Sequence, residues 1–591
     1  MTTIRVILAG KERQEIAAEP GMNLLKTLQA AGIYLPAICG GQGNCGKCMV
    51  RVFSGTLPVT VFDRDCFSEL QLEEGYRLAC VAFPVEEGQG DIGIEVFETG
   101  ERHFSAVNDF KAEDDLPRAL EETLFPLEKS PQSYAHRLAP DRRLGYSELR
   151  EASKLADAQG RALGAPGEFR VYRERGRILR IGGTGEPIYA AAVDIGTTTL
   201  ALALLDLRTG KIAGRFSAVN RQREFGGDVI SRIERANTGD LPLLSLRVRE
   251  QIARGISEVC QKASAEVRAI QKIAIVGNTT MLHLLLQLSC RTLGQTPFTP
   301  VTLDMVSLRS REIFEGDLSC EIMILPGIST YVGADITAGL LFAGVQTKTD
   351  PVVFMDIGTN GEMALAYKGK ILCTATAAGP AFEGGNIRWG TGSVPGAISA
   401  VRLRDGIFAC TTIGNQPPVG ICGSAVVDIV YQGLKNDFIL SSGAFNKSLL
   451  PAGEIFLAMT PDGRPIVFCQ KDVRELQLAK SAIRSGLDAL LNHAGLGYGD
   501  IKTLFLAGGF GFNLNLESSA GIGLIPEALR PKVILLGNSA LGGAVKFLLN
   551  PDHENTLDKI VEQSEEFRLP TDRYFNDCFI DNINFEPSII L

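Results

Sequence analysis

One segment of this chain occurs twice. The first copy contains Asp194-Ile-Gly-Thr197 and the second contains Asp356-Ile-Gly-Thr359, and in each copy apolar stretches of strand character flank the polar residues. A glycine turn follows each copy at a similar distance, at Gly210 and at Gly369. The repeat predicts two related structural units, each containing a β-hairpin with the polar residues at its tip.

The predicted hairpin tips are rich in groups that bind phosphate. Glycine and threonine at a tip turn backbone N–H and hydroxyl donors toward phosphate oxygens, and the aspartate before them can hold a metal ion through water. The candidate residues are Asp194, Gly196, Thr197, Thr198 and Thr199 in the first copy and Asp356, Gly358, Thr359, Asn360 and Gly361 in the second. We expect the two loops to clamp one phosphate tail from two sides.

A second strand with a small-residue loop follows each copy, ending in Gly277-Asn278-Thr279 and in Gly508-Gly509-Phe510. Together these features resemble the superfamily of actin, hexokinase, acetate kinase and the heat-shock chaperone ATPases, over roughly residues 187–550. The resemblance implies a two-lobed actin-like ATPase with duplicated ribonuclease-H-like halves, which uses ATP and Mg²⁺. It also implies that Gly508, Gly509 and Phe510 form the adenosine loop.

The general base for ATP hydrolysis stays open between two acidic residues. Asp335 and Glu383 both lie beside glycines in loop-like segments, where an acidic side chain is equally suited to capping the loop. The turn at Asn538, in Gly537-Asn-Ser-Ala-Leu-Gly-Gly543, predicts close helix packing and no chemistry.

Four of the thirteen cysteines form a C-x5-C-x2-C-x31-C pattern at Cys39, Cys45, Cys48 and Cys80. Four thiolates hold a 2Fe-2S cluster, and glycines between the first three allow the loop to fold around it. Cys66 is the rival for the fourth position. We favour Cys80 because the sequence continues from it into a strand, whereas Cys66 lies in an acidic segment that we expect to be exposed. The alternatives are a zinc site, which usually has paired C-x2-C knuckles, and a disulfide.

The flanks of the cysteine loop fit a small β-grasp domain. An alternating strand covers Ile4 to Leu8, a hairpin turn is predicted at Gly10, and Asn23 caps an amphipathic helix that extends to Ala31. Residues 1–98 resemble the plant and adrenal-type ferredoxins, and the five-residue first gap is closer to the adrenal branch.

The remaining residues complete a multidomain α/β and α+β plan. We expect a ferredoxin-type domain over 1–98, a linker and small adaptor over 99–186, ATPase lobes over 187–348 and 349–550, and a C-terminal extension over 551–591. A helix is predicted from Ser147, its cap, to about Leu163, and a β-hairpin over 168–181. The stretch from Lys111 to Pro117 is the clearest linker, with hinge-like composition.

Charge and hydropathy exclude some functions. A net charge of −9 and a pI near 5.4 argue against a nucleic-acid partner, which requires a basic face. The N-terminal apolar stretch is too short for a signal peptide, and no stretch reaches the roughly twenty apolar residues of a membrane span. We therefore expect a cytoplasmic protein without a membrane segment.

A ferredoxin followed by such an ATPase resembles the reductive activators of corrinoid proteins, over essentially the whole chain. The cysteine loop, the two Asp-Ile-Gly-Thr segments, Gly379-Pro-Ala-Phe-Glu-Gly384 and Leu506-Ala-Gly-Gly-Phe-Gly511 carry the resemblance. It implies that ATP is used to return a Co(II) corrinoid to Co(I) on a partner of a methyl-transfer system, with electrons from a low-potential donor through the 2Fe-2S cluster. The identity of the partner and donor stays open, as does the oligomeric state, for which a homodimer is one option.

Three alternatives remain for the function. An activator of a radical-type dehydratase also couples ATP to electron transfer, but it resembles a shorter chain with a 4Fe-4S cluster. A small-molecule kinase linked to a ferredoxin and a non-enzymatic redox-sensing scaffold that binds nucleotide are the others.

Overall fold

The computed structural model describes residues 3–8, 12–31, 33, 35, 43, 46, 48–67, 69–84, 91–96, 110, 120–126, 132–161, 168–183, 186–509 and 514–585. The described strands form six sheets, and the two largest have six strands each. A search of the described helices finds none with the length and apolar character needed to cross a bilayer. Cys39, Cys45, Phe510, the predicted turn at Gly10 and the linker stretch 111–117 lie outside the described residues.

The N-terminal unit is a five-stranded sheet in the order β2-β1-β5-β3-β4, with β1 parallel to β5 and the other neighbours antiparallel. Asn23 caps α1 as predicted, because its Oδ1 accepts a hydrogen bond from the backbone N–H of Lys26 at 2.9 Å. The elements are β1 (Thr3–Leu8), β2 (Glu12–Ala17), α1 (Leu24–Ala30), β3 (Met49–Ser54), α2 (Val61–Cys66), α3 (Glu69–Glu73), β4 (Tyr76–Leu78) and β5 (Ile92–Val96).

A small unit follows, with a three-stranded antiparallel sheet in the order β6-β7-β8. Its elements are β6 (Leu120–Pro126), α4 (Tyr134–Leu138), α5 (Tyr146–Arg161), β7 (Glu168–Glu174) and β8 (Arg177–Gly183). The predicted hairpin is therefore confirmed. The predicted cap at Ser147 is wrong, because α5 begins at Tyr146 and Glu148 instead accepts from the N–H of Gly145 at 2.9 Å. Hydrogen bonds, first from Arg142, lower the pKa of Glu148 to about 2.

The first large sheet has the order β11-β10-β9-β12-β14-β13. Its strands and helices are β9 (Tyr189–Ile195), β10 (Thr199–Asp206), β11 (Ile212–Val219), α6 (Val229–Arg235), α7 (Leu241–Lys262), β12 (Ile270–Gly277), α8 (Thr279–Leu286), β13 (Val306–Arg309), β14 (Glu321–Ile324) and α9 (Ala334–Ala343). Strand β9 is apolar at almost every position, as expected for a strand covered on both faces.

The second large sheet has the order β24-β23-β15-β16-β17-β25. It belongs to a unit made of β15 (Val352–Ile357), β16 (Gly361–Tyr367), β17 (Lys370–Thr376), β18 (Ala397–Arg404), β19 (Ile407–Thr412), β20 (Gly420–Ile421), α10 (Gly423–Lys435), β21 (Glu454–Met459), β22 (Pro465–Cys469), α11 (Gln470–Ala494), β23 (Thr503–Ala507), α12 (Leu516–Gly521), β24 (Val533–Gly537), α13 (Ser539–Leu549), α14 (His553–Gln563), β25 (Ser564–Glu566) and α15 (Arg573–Asp581).

The two large sheets share one topology. In each, three antiparallel strands are joined by hairpins (β9-β10-β11 and β15-β16-β17), and a later strand pairs in parallel with the first of them (β12 with β9, β23 with β15). A further parallel strand follows on the same side. The duplication that the sequence predicts is thus present in the backbone.

Helices from the end of the chain cover the first sheet. Leu541 and Leu548 of α13 and Leu557 of α14 are fully buried in the same core as β9 and β12. Helix α13 crosses α9 at very short range, since a Cβ atom added at Gly543 would lie 2.0 Å from the carbonyl oxygen of Ala338. The two lobes are therefore joined by a glycine-mediated helix contact, and the predicted boundary at residue 550 stays a prediction.

Candidate active site

The tips of the two duplicated hairpins meet in space. The first tip, residues 196–198, connects β9 to β10, and the second, residues 358–360, connects β15 to β16. The hydroxyl oxygens of Thr198 and Thr359 lie 3.2 Å apart. Each hydroxyl also donates a hydrogen bond to Oε2 of Glu383, at 2.7 Å in both cases. The structure thus brings together one residue from each predicted phosphate loop and one of the two candidate bases.

Both tips are tight turns, and the first depends on glycine. A Cβ atom at Gly196 would lie 2.8 Å from the carbonyl oxygen of Thr199, and the N–H of Gly358 donates to the carbonyl of Asn360 at 2.9 Å. Gly361 begins β16, where a Cβ atom would lie 2.9 Å from Cγ1 of Ile483. Larger residues at Gly196 or Gly361 would shift the hydroxyl and N–H donors of the neighbouring tip.

Four buried or half-buried carboxylates lie behind the tips. Asp194 is the penultimate residue of β9, Asp335 lies in the first turn of α9, and Asp356 pairs directly with Glu362 across the β15–β16 ladder. Burial raises the pKa of Asp194 to about 6, and burial together with repulsion from neighbouring carboxylates raises that of Asp335 to about 7 and that of Asp356 to about 8. The same causes raise the pKa of Glu362 well above its usual value.

This cluster is suited to a cation that arrives with a phosphate ligand. The carboxylates repel one another, so a divalent ion would stabilise their charged forms. Within the part of the chain that the structure describes, no three acidic, histidine or cysteine side chains group closely enough to hold a metal ion by themselves. Magnesium commonly binds through one or two carboxylates, waters and substrate phosphates, which fits this arrangement.

Three residues that the sequence analysis did not propose as site residues position the first tip. The Asn220 amide donates to the carbonyl of Gly196 at 2.8 Å, and the Asn278 amide donates to the hydroxyl of Thr197 at 3.0 Å. The fully buried Arg232 donates to the Thr197 carbonyl at 2.5 Å. Burial lowers the pKa of Arg232 to about 9.

Asn538, which the sequence analysis placed in a helix-packing turn without chemistry, also contacts the first phosphate loop. It caps α13, and its side-chain amide also donates to Oδ2 of Asp194 at 2.8 Å. The turn between β24 and α13 thereby reaches the first phosphate loop.

The predicted adenosine loop lies against the second tip. Gly508 has a φ of 95°, and a Cβ atom there would lie 2.4 Å from the carbonyl oxygen of Ile357 and 2.7 Å from Oδ1 of Asp356. Only glycine fits this left-handed, crowded position. Gly508 and Gly509 both line the same cavity as the two tips.

That cavity has a volume of about 1280 Å³, which exceeds the usual range for small-molecule pockets. Its walls include both lobes and also the N-terminal unit, through Leu35, Cys66 and Tyr76. The Gln29 amide of α1 donates to the carbonyl of Glu224 in the first lobe at 2.9 Å. The nucleotide region and the cysteine-bearing unit therefore face one shared space.

The described cysteines of the N-terminal unit fit a cluster site. Cys48 and Cys80 are both buried, and the N–H of Ala79, the residue before Cys80, donates to the Cys48 carbonyl at 2.9 Å. The Asn23 amide donates to the Cys80 carbonyl at 2.8 Å. Gly43 and Gly46 have φ values of 80° and 69°, as a loop wrapped around a cluster requires.

Cys66 lies closer to this loop than the sequence suggests. It is half-buried rather than exposed, and its Sγ lies 3.7 Å from the Gly43 carbonyl oxygen. Proximity alone does not separate it from Cys80, so the choice of Cys80 as the fourth ligand stays a prediction.

Family models match three parts of the chain. A model described as a 2Fe-2S iron-sulfur cluster binding domain matches residues 6–85, one described as the RACo middle region matches residues 189–348, and one described as the C-terminal domain of RACo, the ASKHA domain, matches residues 350–588. A solved structure titled reductive activator for corrinoid, iron-sulfur protein is 30% identical, with a TM-score of 0.73, over 99% of this chain and 98% of that one. This chain belongs to the reductive activators of corrinoid proteins.

Curated members of the family agree with this match. The corrinoid activation enzyme RamQ of Eubacterium limosum is 29% identical over 600 residues, which cover 95% of each chain. The [Co(II) methylated amine-specific corrinoid protein] reductase of Methanosarcina barkeri is 26% identical over 435 residues, 67% of this chain and 77% of that protein. The predicted plan of a ferredoxin domain followed by an actin-like ATPase is confirmed for this activator, as are an iron–sulfur cluster and a nucleotide as its cofactors.

Proposed function

We propose that this activator uses Mg-ATP, held between its two hairpin tips, to drive the reduction of a Co(II) corrinoid to Co(I) on a partner protein of a methyl-transfer system. The observation that supports this most directly is the shared cavity, which both phosphate loops and the ferredoxin unit line. Neither loop alone offers enough donors for a triphosphate, whereas the adjacent Thr198 and Thr359 offer a joint site.

We assign the following roles to residues of the chain. Gly196 to Thr199 and Gly358 to Gly361 bind the phosphates, Asp194 and Asp356 hold the Mg²⁺ through water, and Gly508 to Phe510 contact the adenosine. Asp335 and Glu383 remain the candidates for orienting the attacking water. Cys39, Cys45, Cys48 and Cys80 would hold the 2Fe-2S cluster, which supplies one-electron transfer when bound.

Energetics explain why ATP is required. Plant-type 2Fe-2S centres have potentials near about −400 mV, and a Co(I) corrinoid is a stronger reductant. Each 100 mV of uphill transfer costs roughly 2.3 kcal/mol per electron. Closure of the two lobes around Mg-ATP changes the surface that the partner contacts. If the closed surface binds the readily reduced form of the partner more tightly than the other form, nucleotide binding shifts the partner toward the readily reduced form.

The partner and donor are proposed by chemical class only. The partner carries a corrinoid, and the donor is any low-potential one-electron carrier that reaches the ferredoxin unit. The buried residues Cys260, Cys290, Cys320, Cys373 and Cys422 form no disulfide, which is typical of the cytoplasm, and we place the reaction there.

The test is anaerobic reduction of a corrinoid protein with and without Mg-ATP. Dithionite should bleach the cluster absorbance equally in both cases, whereas Co(I) absorbance on the partner should require Mg-ATP. Asp356→Ala and Asp194→Ala should abolish ATP hydrolysis and Co(I) formation while retaining the cluster absorbance. Equal rates and extents of Co(I) formation without nucleotide, or failure of every corrinoid protein tried to stimulate ATP hydrolysis, would refute the proposal.

A further inference from the structure

Glu383 links the two lobes through a single oxygen atom. It ends a short turn over Pro380–Glu383, and its Oε2 accepts hydrogen bonds from the Thr198 hydroxyl of the first lobe and the Thr359 hydroxyl of the second, each at 2.7 Å. Bonds from hydroxyl donors to a charged carboxylate are roughly twice as strong as neutral ones. One side chain from a third segment thus holds the two phosphate loops together.

The same two hydroxyls are the donors that a phosphate between the loops needs. A threonine hydroxyl has one proton, so while it donates to Glu383 it cannot donate to a phosphate oxygen. The carboxylate and the phosphate are also both anionic, so they would repel each other if both lay within hydrogen-bonding distance of the same hydroxyl groups. Occupation of these donors by Glu383 and by a phosphate is therefore mutually exclusive.

The turn behind Glu383 is rigid, so that displacing its carboxylate affects more than one side chain. The N–H of Gly385 donates to the Pro380 carbonyl at 2.8 Å, and a Cβ atom at Gly390 would lie 1.9 Å from the Gly384 carbonyl oxygen. The segment over residues 380–391 is fixed to the first turn of α11, where the Arg388 N–H donates to Oδ1 of Asp472 at 2.8 Å.

We propose that Glu383 is a latch, a positioning residue that holds the two phosphate loops together and that the phosphates of the nucleotide displace. This rests on the proposed nucleotide site and deepens it. Binding of nucleotide exchanges two bonds to Glu383 for bonds to phosphate and releases the 380–391 segment from the loops. The latch therefore weakens nucleotide binding.

Nucleotide affinity of the full-length activator tests the latch. Titration calorimetry with a non-hydrolysable ATP analogue and Mg²⁺ would compare the wild type, Glu383→Gln and Glu383→Ala. Replacing charge-assisted bonds by neutral ones should lower the Kd by about 3- to 10-fold. Glu475→Gln is the matched control, because Glu475 contacts Asn386 of the same segment at 3.2 Å without touching either threonine. Its Kd should equal that of the wild type.

Removal of a negative charge alone could also tighten binding, and a double-mutant cycle separates the two effects. In a Thr198→Val, Thr359→Val background the latch has no donors, so Glu383→Gln should then change the Kd by less than about 2-fold. Equal tightening in both backgrounds would overturn the latch, as would an unchanged or raised Kd in the single variants.

A role as general base predicts a different result. It would lower kcat for ATP by about 10²-fold or more and leave the Kd of the analogue unchanged, which would also overturn the latch. Failure of the wild type to bind the analogue would instead refute the proposed nucleotide site itself. Circular dichroism of each variant confirms that the fold is retained.

Discussion

Replacement of Gly543 by alanine should force apart two helices whose N-terminal turns form part of the active site. The added Cβ atom would lie 2.0 Å from the Ala338 carbonyl oxygen and 2.4 Å from its carbonyl carbon. Carbon–oxygen contacts in proteins are comfortable only from about 3.3 Å. Backbone atoms of α9 block the methyl group, so that α9 and α13 must separate by roughly 1 Å or more.

The separation affects stability and chemistry together. Overpacking of a filled core lowers the free energy of unfolding by about 1–3 kcal/mol. We expect the upper end of this range because the atoms that block the methyl group belong to the backbone. Asn538 at the start of α13 is 2.8 Å from Asp194, and a displacement of about 1 Å removes that hydrogen bond. A misplacement of this size costs up to about 10²-fold in rate.

Thermal unfolding and ATP hydrolysis of the full chain would measure both effects. Gly543→Ala should unfold several degrees below the wild type and hydrolyse ATP about 10- to 100-fold more slowly, with unchanged cluster absorbance. Gly499→Ala is the matched control, because a Cβ atom there would meet nothing within 4 Å. An unfolding temperature and hydrolysis rate for Gly543→Ala equal to those of the control would refute the reasoning.

Three further predictions concern the cluster, the acidic residues and the first loop. Cys48→Ser and Cys80→Ser should lose iron and visible absorbance while Cys66→Ser retains both; loss in Cys66→Ser with retention in Cys80→Ser would reverse the ligand assignment. The unfolded-state pKa of Asp356 is near 4 and its folded pKa is about 8, so the folded state holds more protons between these values. The free energy of unfolding without Mg-ATP should therefore fall as pH rises from about 4 to about 8, and Asp356→Asn should flatten that slope in urea titrations; an equally steep slope in the variant would contradict the assignment. Arg232→Met should lower the free energy of unfolding by about 1–3 kcal/mol, because it leaves the Thr197 carbonyl without its buried donor, and should raise the KM for ATP; a wild-type KM would show that the loop does not depend on Arg232.

The repeated segment was sufficient to predict the hairpin β9–β10 in the first large sheet and the hairpin β15–β16 in the second. A strand, a polar tip and a second strand specify a hairpin by local geometry alone, and two similar copies imply two similar lobes. The meeting of the tips at Thr198 and Thr359 follows from the same argument, since one phosphate tail was expected to contact both.

Other parts of the site depend on contacts between distant segments. Asn538 follows a strand and begins a helix, a pattern that predicts a cap but gives no indication of a bond to Asp194, 344 residues earlier. The sequence also gives no indication of the two hydrogen bonds that Glu383 accepts, because their donors lie in other segments of the chain. The position of Glu362 could have been predicted from the sequence, because a hairpin centred on residues 358–360 pairs it with Asp356.

The bond between Asn538 and Asp194 has a consequence for biosynthesis. The core of the first lobe includes α13 and α14, so a ribosome that has completed β9 must add more than 300 further residues before that core can close. At about 5–20 residues per second this delay is on the order of tens of seconds. Meanwhile the apolar strand β9 needs temporary shielding, whereas the N-terminal unit, whose sheet is complete at Val96, can fold and acquire its iron before the ATPase exists. The order of the units along the chain thus allows metal loading to precede nucleotide binding during synthesis.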